Sequence, residues 1–178
     1  MTTAQGNVPQ STVQRAERLR ELYAASEILR VVNVWDVVSA KAIAALPETT
    51  TLATAGHSIA ATYGYSDGAI PRDIMLDMVG RIAAAVDLPV SADLDDGYED
   101  AGETTRLAIA AGIVGANVED RLAPLGDSVA KVAAIVAAAE AEGVAFALNA
   151  RTDAFVRAGD RPIADSIADA IERGRAYL

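Results

Sequence analysis

The chain has 178 residues, a formal net charge of −10 and no cysteine. The negative charge argues against nucleic acid as a partner, because phosphate binding needs clustered Lys and Arg. The absence of cysteine excludes disulfides, thiolate metal ligands and a cysteine nucleophile or acid. No apolar run reaches the ~18 residues that span a membrane. Residues 1–10 lack the apolar segment of a signal peptide. We therefore expect a soluble, cytoplasmic protein without a membrane partner.

Hydrophobic residues make up 52% of the chain and aromatic residues only 4%, which predicts a core of Ala, Val, Ile and Leu. Residues 1–10 predict a disordered lead, and residues 11–178 a single α/β domain. Five short apolar runs predict strands, at residues 29–34, 50–54, 90–92, 115–118 and 144–148. Helices are predicted at residues 11–25, 39–46, 72–86, 103–111 and 128–142, the last of these capped by Ser128. Residues 57–71 predict a loop, and Ile163, Ile167 and Ile171 mark one face of a final helix.

The predicted strands do not alternate polar and apolar residues, which is typical of parallel strands that are buried on both faces. Strand, loop and helix recur about every 25–35 residues, the spacing of βαβ units. A doubly wound sheet and a (β/α)8 barrel both begin in this way, and periodicity does not separate them. A complete barrel typically needs ~250 residues. A barrel in this chain would therefore be incomplete, with about five parallel strands.

Polar residues follow the carboxyl end of each predicted strand, where α/β folds place their ligands. They are Asn33, Asp36, His57, Ser58, Asp93, Asp95, Asp96, Glu119, Asp120, Arg121, Asn149, Arg151 and Asp153. One such position would be ordinary solvated surface. The repetition at five strands predicts a ligand site.

The acidic members of this set indicate a hard metal ion. Asp93 and Asp95 lie two residues apart on a strand and so share a face. Together with Glu119 they offer the oxygen ligands that suit Mg²⁺ or Mn²⁺ rather than zinc.

The remaining polar residues indicate an anion beside that metal. Arg151 offers a bidentate clamp for a carboxylate or phosphonate, with an ion pair to Asp153 or Glu119 as an equally favoured resting state. Gly56, His57 and Ser58 precede a short predicted helix, whose backbone N–H groups suit an anion. His57, the only histidine, is a candidate for proton transfer. A cation next to an anion clamp predicts a small oxyacid that is bound by metal chelation.

These motifs, in this order and spacing, resemble the isocitrate lyase/phosphoenolpyruvate mutase superfamily from residue 29 to the end of the chain. The matching segments are Asn33-Val34-Trp35-Asp36, Ala55-Gly56, Asp93-Leu94-Asp95-Asp96-Gly97-Tyr98, Val118-Glu119-Asp120 and Asn149-Ala150-Arg151-Thr152-Asp153. Each segment alone is a weak signal. Their occurrence together in one chain is highly specific.

The resemblance implies a (β/α)8 TIM-barrel fold, a homo-oligomer (dimer or tetramer) and Mg²⁺ at the carboxyl rim of the strands. It implies an enzyme, a lyase or phosphonomutase, that acts on a C–C or P–C bond of a small 2-oxo or 2-hydroxy acid. The activities that the resemblance implies are those of a 2-methylisocitrate lyase, an oxaloacetate decarboxylase or a carboxyphosphonoenolpyruvate phosphonomutase.

The resemblance also implies a role for individual residues. Asp93 would bind the metal directly, and Asp95 and Glu119 would bind it through water. Asp67 would be a further catalytic acid near the metal. The substrate would be bound by Ala55, Gly56, His57, Asp93 and Arg151, of which His57 and Arg151 would also be catalytic.

The chain departs from the family in the loop that distinguishes its reactions. Leu125 replaces a family lysine, Asp127 an asparagine and Ala55 a serine, and the lyase cysteine is absent. Decarboxylation or retro-aldol cleavage is therefore as well supported as mutase chemistry. The alternative is a catalytically impaired or non-catalytic barrel fragment that retains metal binding. Three further family strands have no counterpart here, so we expect a fragment of a longer protein or a partner chain that completes the layer.

Overall fold

The computed structural model describes residues 10–178. The disordered lead predicted for residues 1–10 thus lies outside the described residues, apart from Gln10, which begins the first helix.

Five strands alternate with helices along the chain. The strands are β1 (Val32–Val34), β2 (Leu52–Thr54), β3 (Val90–Asp93), β4 (Gly115–Glu119) and β5 (Ala147–Arg151). The helices are α1 (Gln10–Ala24), α2 (Val37–Ala44), α3 (Gly56–Thr62), α4 (Arg72–Ala84), α5 (Ala101–Ala110), α6 (Leu125–Ala141) and α7 (Ile163–Ala176).

The strands form one parallel sheet in the order β1-β2-β3-β4-β5. In a doubly wound sheet the strand order reverses at a switch point, whereas a barrel adds each strand beside the previous one. The sequential order therefore confirms the predicted incomplete barrel. The register pairs Asp93 with Asn117 and Glu119 with Arg151, which brings the polar ends of β3, β4 and β5 to one edge.

Several predicted boundaries are wrong. Residues 57–62, which fall in the predicted loop at 57–71, belong to the helix α3 (Gly56–Thr62), so Gly56, His57 and Ser58 form its first turn and do not precede it. Ser128 does not cap α6, since the helix begins at Leu125 directly after Pro124. The fifth strand was predicted at residues 144–148 but covers Ala147–Arg151, so Arg151 lies on the strand rather than after it.

The expectation that all five strands are buried is also wrong at the sheet edges. Val32 of β1 is 43% exposed, and no residue of β5 is fully buried. Each of these strands has a neighbour on one side only. The central strand β3, by contrast, is buried along Val90, Ser91 and Ala92.

The core lies between the sheet and its helices, and α1 closes the amino end of β4. Leu19 of α1 packs with Ile109 and Val114 in a second buried cluster. A Cβ atom on Gly115 would lie 2.9 Å from Leu19 Cδ2 and 2.7 Å from the Ala147 carbonyl oxygen. Only glycine allows this close approach. The opposite, carboxyl end of the sheet is left for the polar residues.

Helix α7 carries the predicted apolar face. Ile163, Ile167 and Ile171 on this face are 72%, 46% and 49% exposed. None of the helices in residues 10–178 combines the length and apolar character needed to cross a membrane.

Candidate active site

A cavity of about 340 Å³ lies at the carboxyl ends of the strands. Its lining is almost entirely polar: His57, Asp67, Gly68, Asp93, Asp95, Glu119, Arg121, Arg151, Asp153, Val156 and Arg157. Six side chains predicted for the site from the sequence line this one cavity. They are His57, Asp67, Asp93, Asp95, Glu119 and Arg151.

Asp93, the last residue of β3, is held in place from the neighbouring strands. Its N–H donates to Thr54 Oγ1 at 3.0 Å, and its Oδ2 accepts the Gly56 N–H at 3.0 Å. Asn117 Nδ2 lies 3.4 Å from the other carboxylate oxygen. A Cβ atom on Gly56 would lie 2.9 Å from Asp93 Oδ2, so this contact requires glycine. The Gly56 N–H, predicted to bind a substrate carboxylate, is therefore engaged by Asp93.

Asp95 lies in the turn after β3, where its own φ is 51° and that of Gly97 is 87°. Burial raises the pKa of Asp95 to about 6, and the Asp93 and Asp67 carboxylates act in the same direction. Tyr98 Oη donates to Asp95 Oδ2 at 3.3 Å, which offsets only part of this effect. Asp95 is thus repelled by two neighbouring carboxylates on this side of the cavity, which we call the acidic side (Asp67, Asp93 and Asp95).

The acidic side fits a hard divalent cation by its chemistry, because all its donors are carboxylate oxygens. Among residues 10–178, no three His, Asp or Glu side chains are close enough to form a complete metal cluster. Mg²⁺ usually retains several waters and needs only one or two protein carboxylates. Asp93 and Asp95 could therefore hold such an ion in part through water.

Glu119 faces two arginines on the other side of the cavity. Its Oε2 lies 2.8 Å from Arg151 Nη2, and its Oε1 lies 3.1 Å from Arg121 Nε. Arg151 Nη2 also lies 2.8 Å from Oδ1 of the buried Asp153. The predicted resting ion pair of Arg151 is thus present with both proposed partners. We call Arg121, Arg151 and Arg157 the basic side.

The turn after β4 carries Arg121 into the cavity through an unusual backbone. Arg121 and Leu122 have φ values of 49° and 54°, in the left-handed region that non-glycine residues rarely adopt. Asp120 supports this turn, since its Oδ1 accepts the Leu122 N–H at 2.8 Å and the Asp153 N–H at 3.0 Å.

The other oxygen of Asp120 connects the turn to α7. Its Oδ2 accepts hydrogen bonds from Tyr177 Oη at 2.6 Å and from Arg173 Nη1 at 3.2 Å. Burial alone would raise the pKa of Asp120. The hydrogen bonds from Tyr177 and from the Asp153 and Leu122 amides outweigh burial and lower this pKa to about 2.

Some polar residues at strand ends have a structural role. Asp36 caps α2 through the Ser39 N–H at 2.7 Å, and Asp120 lies beneath the cavity rather than in its lining. Ala55 is buried at the start of α3 and is not part of the lining, so its substrate-binding role stays a prediction. Leu125 borders a groove on α7 instead of the cavity.

The structure also adds lining residues that the sequence did not assign to the site. Arg121 and Asp153 are among the polar residues that follow predicted strands, but no binding or catalytic role was predicted for them. Val156 and Arg157 lie beyond the last matching motif, in the turn after β5. No local pattern marks them.

The parallel sheet with its sequential strand order defines an open (β/α)-barrel domain, and a cavity lined by acids and arginines lies at its carboxyl rim. The family model for phosphoenolpyruvate phosphomutase matches residues 19–178. The chain belongs to this family.

Solved structures of related proteins agree with this assignment. A Burkholderia cenocepacia J2315 protein, provisionally described as a phosphonomutase, is 35% identical with a TM-score of 0.86 over 92% of this chain and 70% of its own. A second protein of that organism, provisionally a lyase/mutase, is 36% identical with a TM-score of 0.85 over 94% of this chain and 62% of its own.

A phosphoenolpyruvate phosphomutase from Streptomyces platensis subsp. rosaceus is 26% identical, with a TM-score of 0.80 over 91% of this chain and 60% of its own. The chain thus spans 60–70% of the length of these three proteins. Among curated proteins, no match was found.

Proposed function

We propose that the chain carries the metal and substrate site of an enzyme that cleaves or rearranges a C–C or P–C bond of a small 2-oxo or 2-hydroxy acid. The enzyme uses Mg²⁺, or Mn²⁺ in its place. The observation that carries this proposal is a single cavity with an acidic side and a basic side. Such a cavity suits a chelating acid, whose oxygens bind a cation while its anionic group binds arginine.

Asp93 is the proposed direct metal ligand, and Asp95 and Glu119 hold metal-bound waters. The ion supplies electrostatic stabilisation of negative charge on a substrate oxygen. The repulsion of Asp95 by Asp93 and Asp67 supports this assignment, because a cation would relieve it. The ion pairs of Glu119 with Arg121 and Arg151 fit a ligand that acts through water rather than directly.

Arg151 is the proposed clamp for the substrate carboxylate. Its guanidinium lies in the cavity and is oriented by Glu119 at the end of β4 and by Asp153 just after β5. His57 is the proposed proton carrier. It is exposed at the first turn of α3, with its Nε2 3.0 Å from Ser58 Oγ. Asp67 is the further proposed catalytic acid. Substrate contact by Ala55 and Gly56 stays a prediction of the family resemblance.

The proposal includes a small carboxylate or phosphonate as substrate, a homo-oligomer (dimer or tetramer) as the working form, and a cytoplasmic location. Nucleic acid is not an expected partner, given the net charge of −10.

The test is a screen of 2-oxo and 2-hydroxy acids with Mg²⁺ for bond cleavage or rearrangement. Turnover is expected for the unaltered chain and a loss of at least 100-fold for Asp93→Asn. The matched control is Asp73→Asn, an exposed acid in the first turn of α4 that pairs with Arg72. Equal activity in Asp93→Asn and the control would contradict the proposal.

A second candidate is a barrel unit that binds metal but does not catalyse. Two observations favour it. Both carboxylate oxygens of Glu119 are paired with arginines. Leu125, at the position that the family resemblance gives to a lysine, lies outside the cavity. Mg²⁺ binding that depends on Asp93, with no turnover of any acid in the screen, is the result expected from this candidate.

A further inference from the structure

We propose that Arg157 is a specificity-determining residue, whose guanidinium binds a second anionic group of the substrate, a carboxylate or a phosphonate. This inference rests on the proposed function and adds a residue that the family motifs do not contain. The observation behind it is that Arg157 lines the cavity and is held by Asp153 through its Nε atom, which leaves the outer edge of its guanidinium without a hydrogen bond to the described residues.

Arg157 is anchored at one end only. Its backbone N–H donates to the Asp153 carbonyl at 2.9 Å, and its Nε lies 3.1 Å from Asp153 Oδ2. In the part of the chain that the structure describes, its two terminal nitrogens make no hydrogen bond. The side chain is 49% exposed and lines the cavity. The free edge of the guanidinium is the edge that binds a carboxylate or phosphonate in bidentate fashion.

Arg157 shares its carboxylate partner with another arginine. Asp153 is 1% exposed and faces two guanidiniums, those of Arg151 and Arg157. One carboxylate therefore serves two positive charges. Arg121, in contrast, lies between two carboxylates, at 3.1 Å from Glu119 and 3.3 Å from Asp96. Among the described residues, Arg157 is therefore the arginine of the basic side with the fewest carboxylate contacts, and an incoming anion competes there with one carboxylate only.

The anchoring also lowers the cost of binding. Arginine carries a large side-chain entropy, and part of it is already lost because Asp153 holds the Nε. A second acid group on the substrate would meet a partly ordered guanidinium. Arg151 would remain with the first carboxylate, next to Glu119.

The test compares probes that differ only in the second anionic group. Malate is paired with 2-hydroxybutyrate, and phosphonopyruvate with pyruvate, each with Mg²⁺ and measured by isothermal titration calorimetry. We expect the unaltered chain to bind the member with two acid groups of at least one pair ten or more times more tightly. Arg157→Gln should reduce that ratio at least tenfold, and Arg157→Lys should restore part of it. The pair that responds distinguishes carboxylate from phosphonate.

Arg161→Gln is the matched control, because Arg161 pairs with Asp169 and the Ala154 carbonyl and does not line the cavity. It should leave the ratio unchanged. The inference is overturned if Arg157→Gln weakens both members of a pair equally or changes neither, although the proposed function would stand. If the unaltered chain binds none of the four acids, the inference and the proposed function both fail.

Discussion

Asp95 and Asp120 are buried aspartates that follow neighbouring strands, yet their acidities differ by orders of magnitude. Asp95 is 9% exposed and its pKa is raised to about 6, whereas Asp120 is 4% exposed and its pKa is lowered to about 2. Burial acts in the same direction on both. The difference therefore comes from their partners.

Asp95 has a single side-chain donor, Tyr98, and faces the carboxylates of Asp93 and Asp67. Asp120 has two backbone and two side-chain donors. Among the described residues, the fold thus leaves the carboxylate in the cavity with one hydrogen-bond donor and gives four donors to the carboxylate outside the cavity lining. Destabilised groups of this kind concentrate where a ligand completes the structure. The comparison favours the proposed ligand role of Asp95 and indicates a structural role for Asp120.

The largest expected effect is the loss of the Asp120 charge. Asp120→Asn leaves Arg173 buried without that partner, and we expect the free energy of unfolding at pH 7 to fall by about 3–5 kcal/mol. Urea denaturation measures this. The folded pKa lies below the ordinary value of 3.8, so the contribution of Asp120 is present above about pH 4 and is lost as the pH falls towards 2. The difference in the free energy of unfolding between the variant and the parent should therefore become smaller as the pH falls over that range.

Asp77→Asn is the control for this change. Asp77 is paired with Arg81 at 2.8 Å on the surface of α4. Exposed pairs contribute less than about 1 kcal/mol. A similar loss in both variants would contradict the structural role of Asp120.

For Asp95 we expect the opposite change, since its substitution should raise the free energy of unfolding. Its folded pKa lies above 3.8, so its ionisation lowers stability as the pH rises from about 4 to 6. Without metal, Asp95→Asn should therefore raise the free energy of unfolding at pH 8 by up to about 3 kcal/mol, and by little at pH 4. Asparagine also tolerates the positive φ of this position.

Thermal unfolding in EDTA at the two pH values measures this effect. A variant that is less stable than the parent at pH 8 would show that Asp95 is structural, like Asp120, and would remove the contrast.

The smallest expected effect tests how the low pKa of Asp120 arises. Tyr177→Phe removes the 2.6 Å hydrogen bond to Asp120 but leaves Arg173 in place. A hydrogen bond to a charged group contributes about 1.5–3 kcal/mol, and we expect a loss of that size in urea denaturation. Tyr65→Phe, at a tyrosine that is 37% exposed, is the control. Equal stability of the two variants would mean that Tyr177 does not hold the carboxylate.

Much of the site follows from local sequence. Asp93, Asp95, Glu119 and Arg151 each lie at the end of a short apolar run, and parallel strands bring such ends to one edge. Their convergence in one cavity was therefore predictable. The predicted start of β5 was wrong because apolar residues precede the strand. Val144 and Phe146 are apolar since they pack in the second buried cluster with Leu19 of α1.

The sequence by itself determined the alternation of strands and helices. It also determined which strands end in carboxylates, because both features depend on neighbouring residues along the chain. The tertiary structure alone decided the strand order, and with it the barrel-like rather than doubly wound sheet. It also decided which aspartate is satisfied, since Tyr177 reaches Asp120 from 57 residues away. The tertiary structure likewise decided that the outer edge of the Arg157 guanidinium makes no hydrogen bond to the described residues. Contacts between distant segments set the charge and hydrogen bonding of each group, and residue type and spacing do not encode them locally.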